Sequence, residues 1–311
     1  MEESIRGVLA RLYAPGRGEA AVRSWPGVVR VVRRAGPGTS PCEALDRAGL
    51  AFEAMLLGGK NPAPPEGLLT AIDPEVEGLW PLVGRIAHGR PANPVEISLD
   101  APLLPPAVWA SGDLPPRRAT TMAGIGCRLP SGATREFARS VGARASREGV
   151  ALVSGGAEGC DAAFATGHEA ATAILPHGID HPRSLPGVAG TVSAFAREAE
   201  FSREHAMRRN ALIVAAADLT LVASCRLKTG GSWHAATGAL RRRAPVAVYV
   251  GPGAGDGARG LVALGALPIR DLDEALAALD LVRRLGPQDD PSAQWARACG
   301  RGDERRQPAL L

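Results

Sequence analysis

Four stretches, three of them glycine-bearing, carry the residue types able to do chemistry. Gly124-Ile125-Gly126-Cys127-Arg128 is a turn after an apolar run. Glycine lets a backbone approach an anion there, and Arg128 adds a forked donor that matches phosphate. Ser154-Gly155-Gly156-Ala157-Glu158-Gly159-Cys160-Asp161 leads from a strand pattern into a helix pattern. Such a loop aims free N–H groups and a helix dipole at whatever sits before it. Asp161 offers either a helix cap or a ligand contact. The third stretch, Ser202-Arg203-Glu204-His205-Ala206-Met207-Arg208-Arg209-Asn210, gathers three arginines and an amide at one helix entry. The fourth, Arg226-Leu227-Lys228-Thr229-Gly230-Gly231-Ser232, holds one of the chain's two lysines in a second glycine loop. Lysine acts as a point charge where arginine acts as a planar fork.

All four suit an anion, and phosphate is the anion such loops usually hold. Other chemistries lack their parts. The second loop has no Gly-Lys-Ser/Thr ending of a Walker loop and no acid at the spacing of a dinucleotide fingerprint. Ser154 lacks a Gly-x-Ser-x-Gly elbow, and His177 and His181 flank a short loop without a metal-binding spacing. Cys127 and Cys160 have no fixed histidine partner and read as buried thiols. Nothing in these residues demands catalysis, and a binding protein without cofactor or metal is the leading expectation.

Charge placement supports the same region. The 311 residues carry 36 bases, 34 of them arginine, against 32 acids, for a net charge of +4. The arginine preference reads as genome composition. Residues 200–245 hold 8 bases and 3 acids, while every other part of the chain is balanced to within one charge. This window is either a solvated basic face or an anion site.

The elements that must position these loops follow from hydrophobic periodicity. Strands are expected at 121–125, 150–153, 171–175, 219–223 and 246–250, with helices at 134–148, 161–169, 202–216, 233–243, 258–264 and 273–284. Strand and helix alternating at this spacing predict an α/β fold: a Rossmann-like open parallel sheet with helices on both faces. Ligands of such sheets sit at the carboxyl ends of the strands, where these loops fall. Before it, residues 1–95 read as a small, mainly helical region, with helical spacing at 4–13 and 42–57. Residues 96–118 read as a proline-rich linker running into an edge strand, 119–284 as the Rossmann-like domain and 285–311 as a polar tail.

No run of about 18 apolar residues suggests a membrane helix, and the acidic N-terminus is unlike a secretory signal. A cytoplasmic protein with five reduced cysteines is expected.

In order along residues 102–280, the motifs resemble the DprA/Smf family of DNA-processing proteins. Pro105-Pro106-Ala107-Val108-Trp109-Ala110-Ser111-Gly112-Asp113-Leu114 is similar to the family's PPVLYVRGDL, and Gly126-Cys127-Arg128 to its Gly-Ser-Arg. The run from Ser154 to Ala163 resembles SGLARGIDAA, and Gly178-Ile179-Asp180-His181-Pro182 a shortened GLDxxYP. Arg209-Asn210-Ala211-Leu212-Ile213 falls where the family has RNRII, Leu227-Lys228-Thr229-Gly230-Gly231-Ser232 where it has LKSGS or LKSGT, and Gly265-Ala266 at its strand-start GA. The chain departs from these patterns at Glu158, Ala211, Ser224 and Phe164-Ala165.

The resemblance implies a Rossmann-like domain that binds single-stranded DNA in a basic pocket and hands it to a RecA-type recombinase during DNA uptake, working as a homodimer. Carried over by position, Arg128, Arg209 and Lys228 are the phosphate contacts. Ser154, Gly155, Gly156, Thr229, Gly230 and Gly231 supply backbone donors, and Arg208 and Asn210 flank them. A second possibility is a nucleotide sensor, or a hydrolase of nucleotide N-glycosidic bonds, in which Glu158 is the catalytic acid.

Overall fold

The computed structural model describes residues 68–70, 107–115, 119–181, 185–195, 198–285 and 289–299. The helices expected at 4–13 and 42–57 lie outside the described residues.

Among the described residues, nine strands form one sheet in the order β1-β2-β6-β5-β4-β3-β7-β8-β9. They are β1 (Leu68–Thr70), β2 (Ala107–Gly112), β3 (Thr121–Ile125), β4 (Ala151–Ser154), β5 (Ala171–Leu175), β6 (Val188–Ser193), β7 (Leu219–Val222), β8 (Val246–Tyr249) and β9 (Leu267–Ile269). From β6 through β9 every pairing is parallel, whereas β1 with β2 and β2 with β6 are antiparallel. The α/β Rossmann-like sheet expected from the periodicity is therefore present, extended by an antiparallel margin. The strand foreseen at an edge, β2, lies one position in, covered by β1.

The seven described helices are α1 (Gly132–Arg147), α2 (Cys160–Gly167), α3 (Arg203–Ala215), α4 (Gly230–Arg241), α5 (Gly257–Ala263), α6 (Leu272–Arg284) and α7 (Pro291–Ala298). One face of the sheet carries α1, α2 and α6, the other α3, α4 and α5. The five residues of β3 and the four of β7 are all buried, as continuous apolar runs in a doubly covered sheet must be. Met122, Leu152, Phe164, Ile213, Leu219 and Leu221 form the centre of the core.

Three strands are absent from the sequence expectation: β1, inside the region read as mainly helical, β6 within the sheet and β9 at its margin. β6, Val-Ala-Gly-Thr-Val-Ser, has no continuous apolar run, and β9 contains Pro268. Gly190 in β6 is required because a Cβ there would strike the Asp113 carbonyl. Proline is tolerated at β9 because it is an outer strand.

The residues expected as a polar tail contain α7. Asp290 caps it by accepting from the Ser292 N–H at 2.8 Å, and Pro291 sits in its first turn. Trp295 is buried and its indole N–H donates to the Pro268 carbonyl at 3.0 Å, while the Ser292 hydroxyl donates to the Gly265 carbonyl. The helix thereby covers the outer margin of β9 and satisfies a carbonyl there.

Truncating Trp295 to alanine removes this cover. We expect Trp295→Ala to lower stability by about 3–5 kcal/mol in urea denaturation, and Trp295→Phe to cost less than half as much. A loss below about 1 kcal/mol for the alanine variant would show that α7 is not packed on β9 in solution.

Candidate nucleic-acid interface

The chain runs from β3 outward through β4, β5 and β6, then returns to pair β7 on the other side of β3. The strand order therefore reverses between β3 and β7, and the loops leaving their carboxyl ends must diverge. A cleft of about 850 Å³ opens at that point. Gly126, Cys127 and Arg128 after β3, Ser224, Cys225 and Arg226 after β7, and the entries of α3 and α4 surround it. This is where ligands of open α/β sheets bind.

Two turns fix the walls. Cys127 N–H donates to the Ser224 carbonyl at 3.0 Å, joining the two diverging loops. Ser202 caps α3 by accepting from the His205 N–H at 2.9 Å, so the helix begins at the cleft and turns Arg203, Arg209 and Asn210 toward it. On the opposite wall, Ser232 donates to the Gly126 carbonyl at 2.7 Å, and Asn210 donates to the Gly231 carbonyl at 3.4 Å. These contacts lock α3, α4 and the β3 loop together.

Arg209 is the central residue. Its side chain lines the cleft yet is only 6% exposed, and its Nε has no hydrogen-bond partner among the described residues. Burial pushes the guanidinium below its ordinary pKa, the Asp161 charge opposes that shift, and nearby Arg128 adds to it. A buried donor without a partner is costly, as is a cation placed near a second cation. Gly155 is the condition for this placement, since a side chain there would occupy the position of the Arg209 guanidinium.

Asp161 does not cap its helix; the N-cap of α2 is Gly159, which makes no side-chain cap bond. The carboxylate turns back instead and accepts from the N–H groups of Gly155 at 3.1 Å and Ala157 at 3.4 Å. Burial raises its pKa to about 6, against the pull of Arg209 and of backbone donors from Ala157, Gly155 and Gly126. The Gly156 N–H donates to the Ser154 hydroxyl at 3.3 Å. The donors of this loop are thus taken up by the protein's own acid and hydroxyl.

Of the residues proposed from sequence, Arg128, Arg209, Asn210, Thr229, Gly230 and Gly231 line the cleft. Ser154, Gly155 and Gly156 do not; Ser154 and Gly155 are buried behind its wall. Arg208 faces the other way and pairs with Glu204 at 3.6 Å. Lys228 is exposed outside the lining, in a turn closed by the bridge between Arg226 and Thr229. Glu158 is exposed and also lies outside the lining.

Sequence reasoning missed the apolar rim. Leu129, Phe201 and Met207 are three of the five exposed large hydrophobic residues among those described, and all three line the cleft. Trp233, the other aromatic of the basic window, is buried. Burial raises the thiol pKa values of Cys160 and Cys225, so neither is a thiolate near neutral pH. His177 donates to the Gly178 carbonyl at 2.9 Å and His181 to the Glu198 carbonyl at 2.9 Å, so both rings hold their own loop.

The raised pKa of Asp161 has a linkage consequence. The folded state holds its proton more tightly than the unfolded chain, so this group's contribution is greatest at acidic pH and is lost as pH rises from about 4 through 6. We expect Asp161→Asn to gain stability relative to the parent by about 2–3 kcal/mol between pH 4 and pH 7. Denaturation curves across that range measure it; a variant–parent difference independent of pH would contradict the assignment.

Comparison with known proteins follows the same outline. DNA processing protein A from Streptococcus pneumoniae is similar in fold at a TM-score of 0.57 and 16% identity, covering 89% of this chain and 97% of that one. DNA processing protein A from Helicobacter pylori, described for its single-stranded DNA binding mode, matches at a TM-score of 0.50 and 20% identity, covering 56% of this chain and 87% of that one. No curated protein matches the chain at a significant level. The family model for DNA recombination-mediator protein A matches residues 86–280, well over half the sequence and all of the cleft, and the chain belongs to that family.

Proposed function

We propose that this protein binds single-stranded DNA in the cleft between β3 and β7, with Arg209 and Arg128 as its phosphate contacts. The observation that carries this reading is the buried, incompletely bonded Arg209 guanidinium lining a cleft beside a second arginine. A phosphate supplies both the negative charge and the acceptors that this pair lacks. The Thr229-Gly230-Gly231 start of α4 stands on the opposite wall, tied to Asn210 of α3, and Thr229, the α4 N-cap, makes no side-chain cap bond. Lys228, exposed in the loop just before Thr229, adds a further charge.

The apolar rim favours unpaired strands over duplex. Leu129, Phe201 and Met207 give flipped-out bases an apolar surface beside the phosphate site, which stacked base pairs cannot use. Phe201 is the one aromatic residue among the lining residues, so phosphate neutralisation is the main term and stacking the lesser. Family membership supports a role in DNA recombination or uptake, delivery of the strand to a RecA-type recombinase, a homodimeric state and a cytoplasmic setting. Among the described residues, no helix is long and apolar enough to cross a membrane.

The enzymatic reading requires Glu158 at the reacting centre, and the exposed position of that residue outside the cleft weighs against it. Base release from a nucleoside monophosphate, lost in Glu158→Gln, would restore it.

Fluorescence polarisation with labelled oligonucleotides tests the DNA reading. Arg128→Ala, an exposed change neutral to folding, is expected to weaken binding roughly tenfold at low salt. Arg209→Lys, which keeps the charge but loses the fork, should weaken it by at least as much. Each lost phosphate contact should flatten the salt dependence by about 0.7 in log–log slope. Unchanged affinity in both variants would sink the proposal.

A further inference from the structure

The two ends of α4 share a rare feature. Among the described residues, the non-glycine positions with positive φ are Lys228 and Arg243, both at 57°. They flank α4, one two residues before its first residue and the other two residues after its last. Left-handed backbone disfavours a branched Cβ and is normally given to glycine or asparagine.

Arg243 shows the choice most clearly. The Arg243 N–H donates to the Leu240 carbonyl at 2.9 Å and the Ala244 N–H to the Ala239 carbonyl at 3.0 Å, the paired bonds of a Schellman C-cap. The same bonds end α1 and α5, and there the left-handed position is occupied by Gly149 and Gly265. At α4 alone of these three, an exposed arginine holds it. Arg241 beside it is exposed too, and Arg242, half-buried between them, is pushed below its ordinary pKa by burial and by Arg241.

Between the two ends, α4 carries no acidic residue. Its solvent-facing stripe runs through His234, Thr237, Gly238 and Arg241, spaced at helical intervals. The neighbouring α5 likewise has Arg259 as its one charged residue. On the other side, α3 contributes Glu204, which is paired with Arg208. Asp256, at the start of α5, is engaged by the Leu227 N–H at 3.0 Å, so among the described residues the exposed face of α4 leads as a strip, without an acid of its own, from the cleft to an arginine cluster at the opposite end of the sheet.

We propose that this strip is a second phosphate track, along which the DNA strand held in the cleft continues to Arg241 and Arg243. The proposal rests on the DNA-binding reading of the cleft and extends it. Twelve helical residues span about 18 Å, room for about five nucleotides at the ~3.4 Å rise of a stacked strand. A nucleic-acid strand is favoured over an acidic protein because the acid-free face of α4 starts at the cleft, follows one narrow line and ends on the arginines.

Length-dependent binding tests it. Polarisation titrations compare oligothymidylates of about 5 and about 15 nucleotides on the parent and on Arg241→Gln/Arg243→Gly. The parent should bind the long strand at least tenfold more tightly than the short one. The variant should keep the short-strand affinity, lose most of that gain, and show a long-strand salt slope reduced by about 1.4. Arg243→Gly alone should raise Tm by about 2–4 °C, since glycine relieves the left-handed strain. A full length gain in the variant overturns the track while leaving the cleft reading intact. Failure of the parent to bind the short strand defeats the cleft reading and the track with it. Competition by polyglutamate against the long strand but not the short one would assign the strip to an acidic protein and overturn the proposal.

Discussion

The structure around the cleft depends on one buried cation. Arg209 is held against the backbone of Gly155, close to Asp161, at the point where the strand order reverses. A buried guanidinium without full hydrogen bonding is unfavourable, and a neighbouring carboxylate would ordinarily settle the account by forming a direct ion pair. Here the Asp161 carboxylate is spent on the N–H groups of Gly155 and Ala157, and burial raises its own pKa to about 6. The net result is a buried positive site that the nearby Asp161 charge compensates only in part.

The glycines gain a different meaning from this arrangement. A glycine-rich turn between strand and helix ordinarily suggests a nest of N–H groups around a phosphate. In this chain the turn wraps an internal carboxylate, and Gly155 serves chiefly as the space into which Arg209 fits. The loop thus acts through the arginine that it positions. The α4 loop is the reverse case: Thr229, Gly230 and Gly231 line the cleft, and Asn210 from α3 braces it through the Gly231 carbonyl. One wall is electrostatic and rigid, the other is backbone and polar.

The central part of the fold was legible because parallel strands covered on both faces must be apolar throughout, as in 121–125, 171–175 and 246–250. β6 and β9 were not, because one is broken by Gly190 and hydroxyl side chains and the other by Pro268. The short helix α7 sits in a segment whose polarity outweighs the single buried Trp295. At the site, sequence pointed to Arg208 and Arg209 together. Adjacent helical residues diverge by about 100°, so packing of α3 on α4 sends Arg209 inward and leaves Arg208 with Glu204. The role of Asp161 depended on which backbone groups lay behind it, and no spacing rule encodes that.

The central claim is that the Arg209 guanidinium is completed by a phosphate from DNA. The most direct measurement is the NMR signal of the arginine Nε–H groups, with Arg209 assigned by its disappearance in Arg209→Lys, during titration with a short single-stranded oligonucleotide. A phosphate in the cleft should shift that signal and slow its exchange with water in proportion to saturation. An Arg209 signal unmoved at saturating DNA would contradict the account.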